Sequence, residues 1–324
     1  LEAVSMGINM GESDLSFRCN LVTLSENEKY EDKVMVDYSS DEISSQEAKV
    51  LIEEINRHLG CDSINFYPGI SYRHCMIWEK GQEGIKLTPP HDILEKKITD
   101  YLPSGPHSEI IKEMMRKSYE ILSEHPVNKS RKERGLKPAN SIWLWGIGKK
   151  PALTSFYDKY KLKGSVISAV DLIKGLGICA GMNVVEVEGA TGNINTNFEG
   201  KARAALKELE SGKDFVYIHV EAPDECGHRH EIRNKVKSIE LIDEKIVGVI
   251  INELKGEEYS IMVLPDHPTP LSLRTHTSDP VPFVIYRSND PAKNSDVRYD
   301  EYFGKESGFT INKGHELMDY FIKG

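Results

Sequence analysis

Asp224 and His228 in EAPDECGH, Asp266 and His267 in VLPDHPT, and His276 in RTHTSDPVPF place carboxylates and imidazoles together near the C-terminus. Side chains of these types bind hard or borderline divalent metals. With no thiolate in the set they suit Mn²⁺ or Zn²⁺. Paired metals clamp the attacking and leaving oxygens of a displacement at phosphorus, so the pattern points to phosphoryl chemistry. Asp224 and His228 are spaced i, i+4, which lets both project from one side of a helical turn. Asp266 and His267 are adjacent at a strand end and reach in different directions. A lone His or Asp on a loop is usually solvated surface. Here the groups recur at one sheet edge, and Pro223, Pro265 and Pro268 stiffen their surroundings. Cys226 lies between two of these residues and reads as a bystander.

The apolar runs before the first two groups, DFVYIHVEA and YSIMVLPD, read as strands buried on both faces of a sheet. The ligands would then sit at the carboxyl ends of parallel strands, where open α/β sheets bind their substrates. From about Ala139 onward strand and helix alternate: SIWLWGIG, GSVIS, AVDLIKGLGICAGM, NVVEVE, TNFEGKARAALKELES, then a long helix HEIRNKVKSIELIDEKIVGVIINEL, and finally PVPFVIYR. That order predicts a mostly parallel sheet flanked by helices. GLGICAG follows a helix rather than a strand, so it fails as a dinucleotide loop.

Residues 15–138 have a different style. FRCNLVTL and KVMVDYSS read as strands. SSQEAKVLIEEINRHLG reads as an amphipathic helix with Ser45 as its N-cap and Gly60 as its stop. SINFYPGISYRHCMIW reads as a hairpin around Pro68–Gly69, and HSEIIKEMMRKSYEILSEH as a second helix. The basic stretch NKSRKERGLKP reads as a linker. The expected organisation is an α/β core of residues 1–14 and 139–324, with an inserted α+β cap domain of residues 15–138.

The bulk properties narrow the class. The net charge of −10 disfavours a nucleic-acid partner, since phosphate backbones attract basic surfaces. The five cysteines form no CxxC pair, and an odd count argues against a disulfide framework and for a reducing cytoplasm. No apolar run approaches the ~18 residues of a membrane span, and no signal peptide is visible. The first residues, LEAVSMGI, read as a helix already under way, so residues upstream of Leu1 are expected.

The D-x-x-x-H, D-H and H-T-x-D-P-V-P motifs together resemble the alkaline phosphatase superfamily. Within it they resemble the archaeal-type branch of the cofactor-independent phosphoglycerate mutases. LEAVSMGI, FRCNLVT, GISYRH, TPPHD, NSIWLWG, KGSVISAVDLIKG and GATGNINTNFEGKA look like segments of the same branch, so the resemblance covers nearly the whole chain. It implies an alkaline-phosphatase-like core with two divalent metals. Asp224, His228 and His276 would hold one, and Asp266 and His267 would help to hold the other. The family's serine nucleophile and a further Asp ligand are expected upstream of Leu1.

The implied reaction moves the phosphoryl group of 3-phosphoglycerate to that serine and returns it to the other hydroxyl of glycerate. Such a substrate, a small phosphorylated carboxylic acid, calls for guanidinium groups. Arg73 in SYRH and Arg18 in SFRCN lead, followed by Lys163, with Arg131 and Arg134 in the charge run; His74 and His91 are further hydrogen-bonding candidates. The segment VMVDYSSDEIS lacks a basic residue that many family members carry there, which leaves room for another substrate. The competing expectations are a metal-dependent phosphatase or phosphotransferase for another small phosphorylated metabolite, and an inactive metal-binding relative. Oligomeric state is left open.

Overall fold

A computed structural model describes residues 1–290 and 298–324. The chain divides into two compact units, Leu1–Ala152 and Leu153–Gly324.

Unit 1 opens with α1 (Glu2–Ser5) and continues through β1 (Leu15–Leu24), β2 (Met35–Asp37), α2 (Ser45–Leu59), β3 (Ile64–Tyr67), β4 (Arg73–Trp78), α3 (Ser108–Leu122), α4 (Pro126–Glu133) and β5 (Ser141–Gly148). The long strand β1 organises an antiparallel sheet in the order β2-β1-β4-β3, with β5 also paired to β1. Its alternate residues Phe17, Cys19 and Leu21 have no exposed surface and pack in one apolar core with Leu51, Ile52 and Ile55 of α2 and Met115 of α3. This is what period-two and helical apolar spacing dictate when the two element types share a core. The expected hairpin is present as β3 and β4. The cap of α2 is Ser44, whose side chain accepts from the Glu47 N–H, one residue before the expected Ser45; Gly60 ends the helix as expected.

Two expectations for this unit are corrected. The basic stretch read as a linker contains α4, started by Pro126 in its first turn and by the His125 side chain accepting from the Val127 N–H. The strand SIWLWGIG, expected in the core domain, is β5, and it pairs with β1 from Ser16 to Val22. Its place is set by long-range pairing, which local sequence does not encode.

The turn after β2 is tied down by Asp37. Its Oδ1 accepts from the Ser39 N–H and hydroxyl, and its Oδ2 from Lys137 Nζ at 2.8 Å and the Asp41 N–H. Burial pushes the carboxyl upward. Lys137 and the two N–H groups outweigh that and hold it down to about 2. A depressed carboxylate stabilises the fold above its unfolded pKa and loses that contribution as pH falls through the folded value. The window here runs from about pH 4 down to about pH 2, for a total of about 2 kcal/mol. Lys137→Met is therefore expected to move the midpoint of acid unfolding, followed by circular dichroism, to higher pH. An unchanged midpoint would contradict this role.

Unit 2 contains α5 (Phe156–Tyr160), β6 (Gly164–Ile167), α6 (Asp171–Cys179), β7 (Asn183–Val185), α7 (Phe198–Glu210), β8 (Phe215–Ile218), α8 (Ala222–His228), α9 (Ile232–Ile242), a π-helical turn (Asp243–Val247), α10 (Gly248–Glu253), β9 (Ser260–Val263), β10 (Val284–Arg287), α11 (Glu301–Glu306) and α12 (Gly314–Lys323). The alternation is as expected, and β7-β6-β8 pair in parallel. The expectation of one mostly parallel sheet is met in part, because β9 and β10 form a separate antiparallel pair. Strands β8 and β9, expected to be buried on both faces, are mainly half-buried. No helix among the described residues is long and apolar enough to cross a membrane.

Candidate functional site

The chain leaves β8 and turns directly into α8, where Asp224 and His228 stand one turn apart on one side. The chain leaving β9 carries Asp266 and His267, then folds back through a turn in which Leu273 and Arg274 N–H donate to the Pro270 carbonyl. The Thr277 N–H donates to the Pro268 carbonyl and returns His276 to the same place. The His276 and His267 rings lie 3.8 Å apart between centroids.

Asp224, His228 and His276 converge, with one ligand atom from each lying within 4.8 Å of the others. His228 Nε2 is 3.0 Å from His276 Nε2 and 3.4 Å from Asp224 Oδ2, and His276 Nε2 is 3.3 Å from Asp224 Oδ1. His228 Nδ1 faces the Arg274 carbonyl at 2.9 Å. That carbonyl can only accept, so Nδ1 carries the proton and Nε2 offers its lone pair. Such a second contact to a carbonyl is what metal-ligating imidazoles use to fix tautomer and ring orientation. Ligands at about 2.0–2.1 Å from a tetrahedral centre stand about 3.3 Å apart, so the observed spacing fits a divalent cation held by two nitrogens and a carboxylate. Asp266 pairs with His267 at 3.3 Å beside this group.

Side chains that the sequence did not single out hold the cluster together. Thr269 Oγ1 donates to Asp224 Oδ1 in a short hydrogen bond and lies 3.4 Å from His267 Nδ1. Lys235 Nζ donates at 3.0 Å to both the Pro223 and Thr269 carbonyls, stapling α8 to the loop after β9. Gly227 lets the two approach, because a Cβ there would lie 2.5 Å from the Thr269 carbonyl oxygen. Thr269 sits between two prolines in the ligand loop, a weak signal. Lys235 reads as an ordinary surface cation of a charged helix. Nearby, the fully buried Lys201 of α7 donates from Nζ to the His219 carbonyl, and burial pulls its ammonium down to about 8 despite the neighbouring Glu221. It lies in the segment GATGNINTNFEGKA, which carries the family likeness. Cys226 is buried and stands outside the ligand group.

Of the expected substrate residues, Arg18 and Arg73 come together in unit 1. They line a cavity of about 220 Å³ with Glu2, Asn20, Tyr38, Tyr72, His91 and Trp145. His74 borders it as well, but its register opposite Cys19 puts its ring on the other sheet face from Arg18. Burial lowers its pKa to about 3, Nδ1 accepts from the Gly69 N–H, and Nε2 has no partner among the described residues. His74 is thus a buried histidine at the margin of the cavity. Arg131 and Arg134 do not join the cavity lining. The buried Arg131 guanidinium is taken up by the Lys137 and Ser40 carbonyls and by Glu47, which also pairs with Arg134. Lys163 is exposed and precedes β6, at the sheet edge opposite the one leading into Asp224.

Residues 1–128 match the family described as 2,3-bisphosphoglycerate-independent phosphoglycerate mutase. The enzyme of that name from Methanosarcina barkeri is 47% identical over 100% of this chain and 80% of its own length. A solved protein structure from Pyrococcus horikoshii superposes with a TM-score of 0.77 at 25% identity, covering 99% of this chain and 76% of that one. The cofactor-independent phosphoglycerate mutase of Thermoplasma acidophilum shares the fold, with a TM-score of 0.64 at 24% identity over 99% of this chain and 80% of that chain. With close to half of its residues identical across its full length to such a relative, the chain belongs to the 2,3-bisphosphoglycerate-independent phosphoglycerate mutase family.

Proposed function

We propose that the protein interconverts 3-phosphoglycerate and 2-phosphoglycerate without 2,3-bisphosphoglycerate, as an isomerase of glycolysis acting in the cytoplasm. The observation that carries this reading is the convergence of Asp224, His228 and His276 on one point in a chain of this family. All five cysteines are free, which agrees with a reducing compartment.

In this reading Asp224, His228 and His276 hold one divalent metal and Asp266 and His267 contribute to a second, either Mn²⁺ or Zn²⁺. Bound metal would neutralise phosphoryl oxygens and lower the pKa of a nucleophilic hydroxyl. The chain's own residues do the positioning. Thr269 fixes the orientation of the Asp224 carboxylate, and the Arg274 carbonyl keeps the His228 lone pair at Nε2. Arg18 and Arg73 bind the anionic substrate. Unit 1 acts as the substrate-recognition module and unit 2 as the metal-bearing one. A serine carries the phosphoryl group between the two glycerate hydroxyls, and water must be kept from it.

Phosphorus NMR of the full-length gene product with 3-phosphoglycerate and Mn²⁺, lacking 2,3-bisphosphoglycerate, tests this. The expected result is a growing 2-phosphoglycerate resonance with no inorganic phosphate. Accumulating phosphate would instead identify a phosphatase.

A further inference from the structure

The sheet edge of unit 2 that leads into Asp224 carries a second set of polar side chains, which the metal reading does not use. Ser168 and His219 are the first residues past β6 and β8. The His219 N–H donates to the Ile167 carbonyl at 2.9 Å, which continues the parallel ladder and sets the two residues side by side. Ile218 and Val220 pack with Phe198, Ala202 and Ile246. Strand alternation therefore turns His219 to the other face, with Tyr217. The charge of Asp266 acts on both of those side chains, and the charges of Asp224 and His267 act on His219 as well, so the ring lies beside the ligand group.

The ring is also oriented. The buried Ser168 Oγ accepts from the Val170 N–H at 3.0 Å and lies 3.3 Å from His219 Nδ1. With the Val170 N–H directed at its oxygen, the hydroxyl turns its own proton to the ring. Nδ1 then accepts, and Nε2 carries the ring proton. The Lys201 ammonium donates to the His219 carbonyl at 2.9 Å and holds the backbone that runs on into Asp224. Burial lowers the His219 pKa against the opposing pull of Asp266, which keeps this half-buried ring neutral. A neutral, preorganised donor suits an anion held near two carboxylates, because it adds a hydrogen bond to the anion without drawing either carboxylate into an ion pair.

We propose that His219 is a further catalytic residue, whose Nε2–H donates a hydrogen bond to an oxygen of the phosphoryl group in transfer, and that Ser168 is the positioning residue that fixes its tautomer. The proton stays on the ring throughout. That the anion is a phosphoryl group in transfer rests on the mutase reading; the tautomer and the place of the ring at this edge do not.

The test uses the Zn²⁺-loaded full-length protein. Long-range proton–nitrogen NMR of the His219 ring is expected to show the Nε2–H tautomer in the wild type and a mixture of tautomers in Ser168→Ala. The Nδ1–H tautomer in the wild type would overturn the positioning role. Calorimetric titration with inorganic phosphate is expected to be about 10- to 100-fold weaker in His219→Ala, the worth of one hydrogen bond to a charged group. Metal content and melting temperature should be retained, and His219→Gln, whose amide N–H can stand in for Nε2–H, should recover part of the affinity. On 3-phosphoglycerate, His219→Ala should lower kcat more than it raises KM, a split that a merely structural role would not produce. Unaltered phosphate affinity in His219→Ala, or a loss that comes only with loss of the metal, would overturn the proposal. If phosphate binds in a His219-dependent way while the wild type turns over no 3-phosphoglycerate, the mutase reading fails and His219 remains a phosphoryl-binding residue.

Discussion

His228→Ala is expected to lower metal-dependent turnover by about a thousandfold or more, with the overall fold retained. His228 contributes to the cluster through Nε2, and its Nδ1 sits on the Arg274 carbonyl, so the ring also secures the turn that brings His276 back. Alanine removes a ligand and that tether together. A bound metal supplies several kcal/mol of stabilisation to developing phosphoryl charge, and each 1.36 kcal/mol is a factor of ten in rate. The His228 side chain is 35% exposed rather than packed in a core, so the loss of stability should be small. Metal content after dialysis, measured by mass spectrometry beside the rate, distinguishes a lost ligand from a damaged fold. A variant that keeps its metal and its rate would remove His228 from the site.

Gly227→Ala should cost metal affinity about 10- to 100-fold, and the sign of its effect is informative. Within a helix, Gly→Ala ordinarily stabilises by about 1 kcal/mol. Here the new Cβ would meet the Thr269 carbonyl oxygen at 2.5 Å, its Cγ2 at 2.9 Å and Lys235 Nζ at 3.0 Å. The carbonyl belongs to backbone already held by Lys235, so relief must come from moving the ligand loop off α8. That separates Thr269 from Asp224, the kind of supporting contact whose loss weakens metal binding by this amount. Titration with Mn²⁺ and a thermal melt provide the check. A variant that melts higher and binds metal normally would show that α8 and the loop do not approach this closely.

The convergence of Asp224, His228 and His276 was legible because their chemistry and spacing are local. A D-x-x-x-H on a helical turn and a D-H pair just past a strand need no tertiary knowledge to be placed on a sheet edge. The β3–β4 hairpin and α2, with its terminating glycine, were legible for the same reason. Features set by distant partners were not. Arg131 sits in a run of charges that reads as solvated, yet Glu47 and the Ser40 carbonyl from elsewhere in the fold, with the Lys137 carbonyl of its own stretch, satisfy it inside the protein. His74 and Arg73 are neighbours in sequence, and the period of a strand sends them to opposite faces. A parallel strand has two ends, and Lys163 lies at the one opposite the end that leads into Asp224. The antiparallel pairing of β10 with β9 and of β5 with β1 follows from topology that alternation alone does not reveal. Thr269 and Lys235 were missed because a hydroxyl or an ammonium that supports a ligand has no spacing of its own.

The most direct test of the central claim is an enolase-coupled assay of the full-length gene product on 3-phosphoglycerate, lacking 2,3-bisphosphoglycerate, after chelation and again after Mn²⁺ or Zn²⁺ is restored. The account predicts turnover that disappears on chelation, returns with the metal and does not return in His228→Ala. Turnover that survives chelation, or a metal-loaded wild-type protein with none, would contradict it.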